Sequence, residues 1–426
     1  MKKRMIGMLL AGAMVLGMAA PVFADEVETV TMLTYVDWYG AGLQALEDYI
    51  NENSAELGFK LEVQQIAGGS QGDELVMART ATDDLPDLLN TYSAKLYFSS
   101  YGGEGKLLPL ENLECTADYG EDVLTSRSYG EDGVLYGMPF GTAYYYGMYY
   151  NKKVLEAAGV EQYPTTWDEF LDACEKIKAI GITPVYFSCG DPWTASCYAL
   201  TGFHGDYDER GMTSEEFWNA INTNQIKFAD CANTWDGLKK SKELIENGFV
   251  QETYLSDTYD MAQTALANGE CAFYACAHVV VSEIAAKYPD KAADIGGNVI
   301  PLYDEEHNYL DVAFPTILSV TSASKNPELA QKALDFMCSK EGMQIYANAQ
   351  PGVYLTKGME IEGTPAFEEQ GEKTLVNTWD FKYDIAPYVH YIDYYVGAVE
   401  LEELAAEFDN LTEKSAVANS DENWAE

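Results

Sequence analysis

Tyrosine is concentrated in one short stretch of this chain. The segment "FGTAYYYGMYYNK", residues 140–152, holds five tyrosines within seven consecutive positions. A closed core would use Val or Leu there, because a buried tyrosine hydroxyl must find a hydrogen-bond partner. Alternate side chains of a strand point to opposite faces, so Tyr144 and Tyr146 share one face and Tyr145 takes the other. We expect one face to line a cleft and the other to pack on a core. Core packing with satisfied hydroxyl groups is the alternative for at least half of these tyrosines.

Carboxylates stand beside large aromatic rings at several predicted strand ends. In open α/β sheets, ligands bind outside the carboxyl ends of the strands. An acid next to a ring can accept hydrogen bonds while the ring covers an apolar face. Besides Tyr144 and Tyr146, the candidate ligand-binding residues are Asp37, Trp38 and Tyr39 after the first strand, Tyr92 after the third, Asp191 and Trp193 after the strand that follows the Trp167 helix, Phe314 and Trp379. A structural role is the competing interpretation at each position, and for Phe314 and Trp379 it is the favoured one.

The order of the predicted elements indicates an α/β fold. Residues 27–40 alternate apolar and polar side chains like a strand, and a helix follows from Leu43. Residues 59–69 alternate again, and another helix leads to a short apolar strand near Thr91. Strands that alternate with helices form parallel sheets with crossover helices. A chain of 426 residues is too long for one ordinary core, so we expect two lobes.

Later segments carry local signals of helices and strands. Thr166 and Glu169 have the spacing of a capping box, and Asn326 followed by proline predicts the start of another helix. Residues 271–281 and 298–303 are rich in apolar and β-branched side chains and are predicted to be strands.

The first residues have the pattern of a secretion signal. A basic start at residues 2–4 precedes an apolar stretch from Met5 to Ala20, and small residues then mark a cleavage site after Ala24. A membrane anchor is the alternative, but the stretch is short for a span and is interrupted by glycines. The first cysteine is Cys115, so no cysteine follows the cleavage site to carry a lipid. We expect a signal peptide at residues 1–24 and a periplasmic or extracellular protein.

Charge and composition argue against several classes of partner. The formal net charge is −43, which repels nucleic-acid phosphates and anionic lipids. Eight cysteines permit disulfides in an exported chain, but their spacing indicates no particular pairing. The four histidines are scattered without the spacing of a zinc site. We therefore expect no nucleic acid, no metal and no cofactor, and we expect a monomer.

One long segment resembles a known family. Residues 132–187, "DGVLYGMPFGTAYYYGMYYNKKVLEAAGVEQYPTTWDEFLDACEKIKAIGITPVYF", are similar to the region by which family 1 extracellular solute-binding proteins of ABC importers are known. Two further segments fit, "ALANGECAFY" and "SASKNPELAQKALDFMCSKEGMQIYA", and the resemblance covers roughly residues 28–356. The matching positions are Gly133, Tyr136, Gly137, Pro139, Tyr150, Asn151, Lys152, Ala158, Gly159, Pro164, Thr166, Trp167, Asp168 and Glu169.

The resemblance implies a periplasmic-binding-protein-like fold, with two α/β lobes, a hinge and a ligand cleft between them. It implies that the protein captures a mono- or oligosaccharide and delivers it to the permease of an ABC transporter, without catalysis. The expected division is residues 25–140 plus 300–349 in the N-terminal lobe and residues 141–299 plus 350–426 in the C-terminal lobe. The chain would cross between lobes near Pro139–Tyr144, Ile295–Pro301 and Gln350.

One departure from the family leaves alternatives open. Family members often place a tryptophan shortly after the Gly-Glu-x-Ala strand, where this chain has Ala277, His278 and Val279. Either another ring stacks on the sugar, or the ligand is a different polar solute. The alternative from another class is an exported glycoside hydrolase, which would need two carboxylates roughly 5–10 Å apart. No local motif marks such a pair, and there is no nucleophile elbow or phosphate-binding loop.

Overall fold

The computed structural model describes most of the chain: residues 27–304, 307–308, 310–350, 352–359, 375–377, 381, 387–418, 421 and 423–425. The predicted signal peptide, residues 1–24, and the candidate Trp379 lie outside the described residues.

The strands of the described residues are β1 Thr29–Tyr35, β2 Lys60–Ile66, β3 Leu88–Thr91, β4 Met138–Phe140, β5 Tyr144–Asn151, β6 Thr183–Val185, β7 Cys271–Ala277, β8 Ile295–Asn298, β9 Leu310–Ala313, β10 Thr316–Val320 and β11 Leu375–Asn377. The α-helices are α1 Ala41–Glu52, α2 Ser54–Leu57, α3 Gly69–Ala81, α4 Ala94–Ser100, α5 Glu121–Arg127, α6 Lys152–Ala157, α7 Trp167–Ala179, α8 Cys197–Arg210, α9 Ser214–Asn222, α10 Asp236–Glu246, α11 Tyr259–Asn268, α12 Val279–Lys287, α13 Pro327–Cys338, α14 Lys340–Ala349, α15 Pro387–Tyr395 and α16 Leu401–Ala418. Short 3-10 turns occupy Val36–Trp38, Glu114–Asp118, Pro192–Ser196, Phe228–Asp230 and Ala292–Asp294.

The first sheet has the strand order β2-β1-β3-β10-β4. β1 runs parallel to β2 and β3, whereas β10 is antiparallel to β3 and β4. Leu43 of α1 and Leu334 of α13 are buried on one face of this sheet, and Val76 of α3 is buried on the other. The predicted parallel sheet with crossover helices is confirmed, with an antiparallel strand added where the chain returns. We call this sheet and its helices the first lobe.

The second sheet is built around the tyrosine-rich strand β5. Its order is β11-β9-β5-β7-β6, with β8 also paired to β5. Tyr149 and Tyr150 are 0% and 7% exposed, and the ring of Tyr150 lies 5.1 Å from that of Tyr163. Part of the tyrosine run therefore packs in a core, as expected. We call this sheet, its helices and the C-terminal helices α15 and α16 that pack with them the second lobe.

Three chain segments connect the lobes. The first is residues 141–143, between β4 and β5, and the second is Phe314 with the proline after it, between β9 and β10. The third follows α14, where the Ala143 nitrogen donates to the Val353 carbonyl at 2.8 Å. These segments meet in a small apolar cluster that contains Ala143, Phe314 and Val353. The expected crossings near residues 139–144 and near Gln350 agree with these positions.

The expected return crossing near Ile295–Pro301 is wrong, and so is the start of the returning N-terminal segment at residue 300. β8 pairs with Met148–Asn151 of β5, and β9 pairs with Tyr144–Tyr146 of the same strand. The chain therefore stays in the second lobe through Ala313. The physical reason is strand pairing: without β9, the first half of β5 would leave its backbone groups unpaired on that side.

Two predicted strands differ in the structure. The strand expected over residues 271–281 ends at Ala277, and α12 begins at Val279. Val280 and Ile284 lie on one face of that helix and are fully buried, so burial outweighs the β preference of valine. In the stretch expected over residues 298–303, only Asn298 belongs to a strand.

The local helix signals are confirmed. The Thr166 hydroxyl accepts from the Glu169 nitrogen, and the Glu169 carboxylate accepts from the Thr166 nitrogen, both at 3.3 Å. Asn326 caps α13 by accepting from the Leu329 nitrogen. None of the described helices is long and apolar enough to cross a membrane. The eight cysteines all fall within the described residues, where each is buried and outside any disulfide bond.

A buried asparagine connects three strands of the first sheet. Asn90 of β3 is 2% exposed. Its Oδ1 accepts from the Thr34 hydroxyl of β1, and its Nδ2 donates to the Thr316 hydroxyl and the Ile317 carbonyl of β10, each at 2.9 Å. Asn90 therefore binds the returning strand to the strands at the start of the chain.

Replacing Asn90 by alanine should destabilise the protein by about 2–4 kcal/mol, because each buried partner left unsatisfied costs about 1–3 kcal/mol. Urea unfolding followed by tryptophan fluorescence measures the loss. The matched control is Asn219→Ala at an exposed position of α9, which should change stability by no more than about 0.5 kcal/mol. Equal effects of the two substitutions would contradict this role of Asn90.

Candidate ligand-binding cleft

An aromatic wall forms where β1 and β3 of the first lobe end. Trp38 lies in the 3-10 turn after β1, and its ring centroid is 4.4 Å from that of Tyr35 and 4.9 Å from that of Tyr92. Trp38 and Tyr92 are partly buried, whereas Tyr35 is 2% exposed. The rings meet because adjacent parallel strands have their carboxyl ends at the same edge of the sheet.

The base of this wall is fixed by a shared carboxylate. The hydroxyl groups of Tyr35 and Tyr101 both donate to Asp73 Oδ1 at 2.8 Å. Burial of the Tyr35 ring, together with Asp73, raises the pKa of the Tyr35 hydroxyl. Tyr35 therefore remains a neutral donor that supports the Trp38 ring from below.

A second wall belongs to the second lobe. Asp191 precedes the 3-10 turn Pro192–Ser196, and its Oδ2 accepts from the Tyr259 nitrogen at 2.7 Å. The Trp193 ring meets the Tyr259 ring edge-on, with centroids 5.3 Å apart. Trp193 is partly buried against the cluster around β7 and α12. The Asp191 contact thus connects this turn to the start of α11, and both rings are held in place.

Carboxylates of the two lobes approach one another between these walls. Partial burial, and secondly the nearby charge of Asp191, raise the pKa of Asp37. Glu283 of α12 accepts a hydrogen bond from Gln263, and its pKa is raised chiefly by burial, with Asp37 contributing. Asp37 of the first lobe therefore lies close enough to Asp191 and Glu283 of the second for its charge to interact with theirs.

This arrangement suits a ligand with both apolar faces and hydrogen-bond donors. The rings can cover C–H faces, and the carboxylates can accept from hydroxyl or ammonium groups. Within the described residues, no group of His, Cys, Asp and Glu side chains has the arrangement of a metal site.

The structure brings five of the sequence-predicted residues to the two walls: Asp37, Trp38, Tyr92, Asp191 and Trp193. Three other predicted residues lie away from these walls. The Tyr39 hydroxyl donates to Glu47 of α1 at 2.7 Å, and its ring packs on the opposite face of the sheet from Trp38. Tyr146 packs against the core of the second lobe, and Phe314 packs in the cluster of crossing segments.

Two candidates lie wholly or partly outside the described residues. Tyr144 belongs to β5 by its backbone, but its side chain lies outside the described residues. Trp379 lies outside them altogether.

Sequence reasoning missed three residues of the second wall: Tyr259, Gln263 and Glu283. Tyr259 is the first residue of α11, and Thr258 caps that helix through the Met261 nitrogen at 3.4 Å. The threonine at a helix start was a usable signal for Tyr259 and, one turn later, for Gln263. Glu283 was hidden because the helix that carries it begins at Val279, inside the segment 271–281 that was predicted to be a strand.

Comparison with known proteins identifies the family and the fold. The family model described as bacterial extracellular solute-binding protein matches residues 38–344. The multiple sugar-binding protein of Streptococcus mutans is 24% identical over 327 residues, which cover 74% of this chain and 71% of that protein. The arabinooligosaccharide-binding protein of Halalkalibacterium halodurans is 26% identical over 163 residues, which cover 37% of this chain and 36% of that protein.

Solved structures share the fold. A chitin oligosaccharide binding protein superposes with a TM-score of 0.71 at 20% identity, over 92% of this chain and 99% of that one. SBP RafE in complex with raffinose superposes with a TM-score of 0.71 at 21% identity, over 91% of this chain and 99% of that one. The expected two-lobe α/β fold is confirmed.

The raised pKa of Glu283 predicts a pH-dependent stability. The native protein holds the proton of this group more tightly than the unfolded chain, so its contribution to stability falls as pH rises through the raised pKa. We expect Glu283→Gln to have a larger free energy of unfolding than the wild type at pH 7. The difference should disappear below about pH 4, where the unfolded chain is also protonated. Urea titrations across this pH range measure the difference.

The control is Glu175→Gln, at an exposed position of α7, whose stability should follow the wild type at every pH. A lower stability of Glu283→Gln at pH 7 would show that the carboxylate stabilises the fold, contrary to this expectation.

Proposed function

Because the chain belongs to the bacterial extracellular solute-binding proteins, we propose that it captures an uncharged mono- or oligosaccharide between its lobes. The protein delivers this ligand to the permease of an ABC importer. It is exported by the signal peptide at residues 1–24 and acts as a monomer in the periplasm or outside the cell. Its net charge of −43 is unsuited to nucleic acid.

The observation that carries this proposal is the pairing of aromatic walls with carboxylates from both lobes. A sugar ring has apolar C–H faces and a rim of hydroxyl donors. Trp38 and Trp193 supply surfaces for the faces, and Asp37, Asp191 and Glu283 supply acceptors for the rim. The relatives and structural neighbours, which include sugar-binding, arabinooligosaccharide-binding and raffinose-bound proteins, support the same ligand class.

The proposed mechanism is closure of the lobes about the three crossing segments. The first lobe comprises residues up to β4 together with β10, α13 and α14, and the second comprises β5 to β9 and the C-terminal helices. In the empty cleft, Asp37 repels Asp191 and Glu283. A ligand whose hydroxyl groups donate to Asp37 on one lobe and to Asp191 and Glu283 on the other offsets this repulsion with hydrogen bonds. It binds the closed state better than the open one and shifts the population toward closure.

A thermal-shift screen tests the ligand class. The panel contains raffinose, stachyose, chitin oligosaccharides and arabino-oligosaccharides, with polyamines, peptides and inorganic anions for comparison. A saccharide present at about 100 times its Kd should stabilise the protein by roughly 2.7 kcal/mol. Small-angle scattering should show that the same saccharide makes the protein more compact.

A melting curve that moves only with polyamines, peptides or anions would contradict the saccharide. An unchanged radius of gyration at saturation would contradict closure. Recovery of the added saccharide in cleaved form would favour the glycoside hydrolase instead.

Trp193→Ala should weaken binding of the saccharide found in that screen by about 1–3 kcal/mol, since the ring is an aromatic anchor held by Tyr259. The loss of stability should be smaller than the about 3–5 kcal/mol of a deleted core aromatic, because Trp193 is only partly buried. Calorimetric titration and urea unfolding of the same variant measure the two effects.

The control is Tyr39→Phe, which removes a hydroxyl directed to Glu47 and should leave ligand affinity unchanged. A Trp193→Ala protein that loses stability but keeps full affinity would place this ring in the core and outside the site.

A further inference from the structure

Gly68 lies directly against the carboxylate of Asp37. A Cβ atom added to Gly68 would lie 1.7 Å from Asp37 Oδ2, 2.6 Å from its Cγ and 3.0 Å from Oδ1. Non-bonded carbon contacts are stable at about 3.5–4.0 Å. The Asp37 side chain therefore occupies the space that a side chain at residue 68 would need.

The backbone at Gly68 does not itself require glycine. Its φ of −75° and ψ of 165° form an extended conformation that any residue adopts. Gly68 is the residue before α3, and Val76 of that helix is buried in the first lobe. Asp37 lies in a turn whose backbone is closed by hydrogen bonds from the Tyr39 nitrogen to the carbonyls of Tyr35 and Val36, both at 3.2 Å. With both backbones fixed, the Asp37 carboxylate is the group that would have to move.

Gly72, one turn further along α3, provides a contrast. A Cβ there would lie 2.1 Å from the Ala67 carbonyl oxygen and 2.7 Å from the Tyr35 ring. Those neighbours are a backbone atom and a buried ring, so Gly72 serves the packing of the lobe. The space at Gly68 is filled instead by the carboxylate of Asp37, which keeps access to solvent and whose charge interacts with Asp191 of the second lobe.

We propose that Gly68 is a positioning residue for ligand capture: the absence of a side chain there lets the Asp37 carboxylate face Asp191 and Glu283 across the cleft. This inference rests on the proposed function, because it concerns how the first lobe presents its acceptor to the saccharide. A methyl group at residue 68 rotates the carboxylate away from that direction, so the ligand loses an acceptor on the first lobe while the fold is retained.

The test is a double-mutant cycle made of Gly68→Ala, Asp37→Ala and their combination. Calorimetry measures the affinity of each for the saccharide that stabilised the wild type in the screen. Gly68→Ala and Asp37→Ala should each lower the affinity roughly tenfold or more, the scale of a lost hydrogen bond to a charged group. In the Asp37→Ala background the clashing atoms are gone, so adding Gly68→Ala should leave the affinity unchanged.

Urea unfolding shows whether Gly68 positions the Asp37 carboxylate or is needed for the packing of the lobe. Gly68→Ala should be as stable as the wild type or slightly more stable, because alanine has fewer unfolded conformations than glycine. Gly72→Ala is the matched control in the same helix, and it should lower the unfolding midpoint.

Three outcomes would overturn the inference: full affinity in Gly68→Ala, an equal loss from this substitution in both backgrounds, or a loss of stability like that of Gly72→Ala. These outcomes differ from a failure of the proposed function, in which the wild-type protein would bind no saccharide in the panel.

Discussion

Backbone pairing along β5 is the constraint on which the two-lobe arrangement depends. This strand is bordered by β7 on one side and by β8 and β9 on the other. Its first half pairs with β9, which leads through Phe314 directly into β10 of the other sheet. Ala143, the residue before β5, pairs with Val353 on the third crossing. All three connections between the lobes are therefore fixed relative to one strand, and a shift of its register would displace the hinge and the walls of the cleft together.

The candidate cleft brings like charges of the two lobes near one another, and hydrogen bonds to Asp191 and Glu283 offset part of the repulsion. Asp191 accepts a hydrogen bond from the Tyr259 nitrogen, and Glu283 accepts one from Gln263. The Asp37 carboxylate instead packs against Gly68, in the space that a side chain there would fill. The second lobe thus positions its carboxylates by hydrogen bonds, whereas the first lobe positions its carboxylate by packing. In the proposed mechanism, repulsion among these carboxylates without ligand, and their hydrogen bonds to a bound ligand, would supply the differential contacts that closure requires.

The exposure of an aromatic residue depends on its position along the strand: most of the described rings within strands are buried, whereas several rings after a strand end are partly exposed. Tyr149 and Tyr150 of β5 are buried in the second lobe, and Tyr35 of β1 supports Trp38 while its hydroxyl is bound by Asp73. Rings that follow a strand end, such as Trp38 and Trp193, keep partial exposure because the chain has left the sheet and turned. A tyrosine-rich composition therefore serves the core as much as the cleft.

The sequence by itself determined the features that depend on neighbouring residues. Alternation located β1 and β2, and the Thr166 and Asn326 caps located α7 and α13. The rule about strand ends selected Asp37, Trp38, Asp191 and Trp193, which the fold brings to the two walls and whose role in binding stays a prediction. These succeed because a strand end or a capped helix is specified within a few residues, and because parallel strands bring their carboxyl ends to one edge.

Only the tertiary structure decided which of these residues meet. The pairing of β9 with β5 and the burial of the helix at residues 279–287 arise from partners far away in the chain. The packing of Tyr39 on α1 depends on how the chain turns after β1, which no local pattern marks. The charge interaction of Asp37 with Asp191 and Glu283 needs both lobes in place, and the room for the Asp37 carboxylate comes from an absent side chain at Gly68. Long-range contacts of this kind leave no periodic signal in the sequence, since burial and backbone pairing in the folded chain determine them, and these can outweigh the local preferences of the residues.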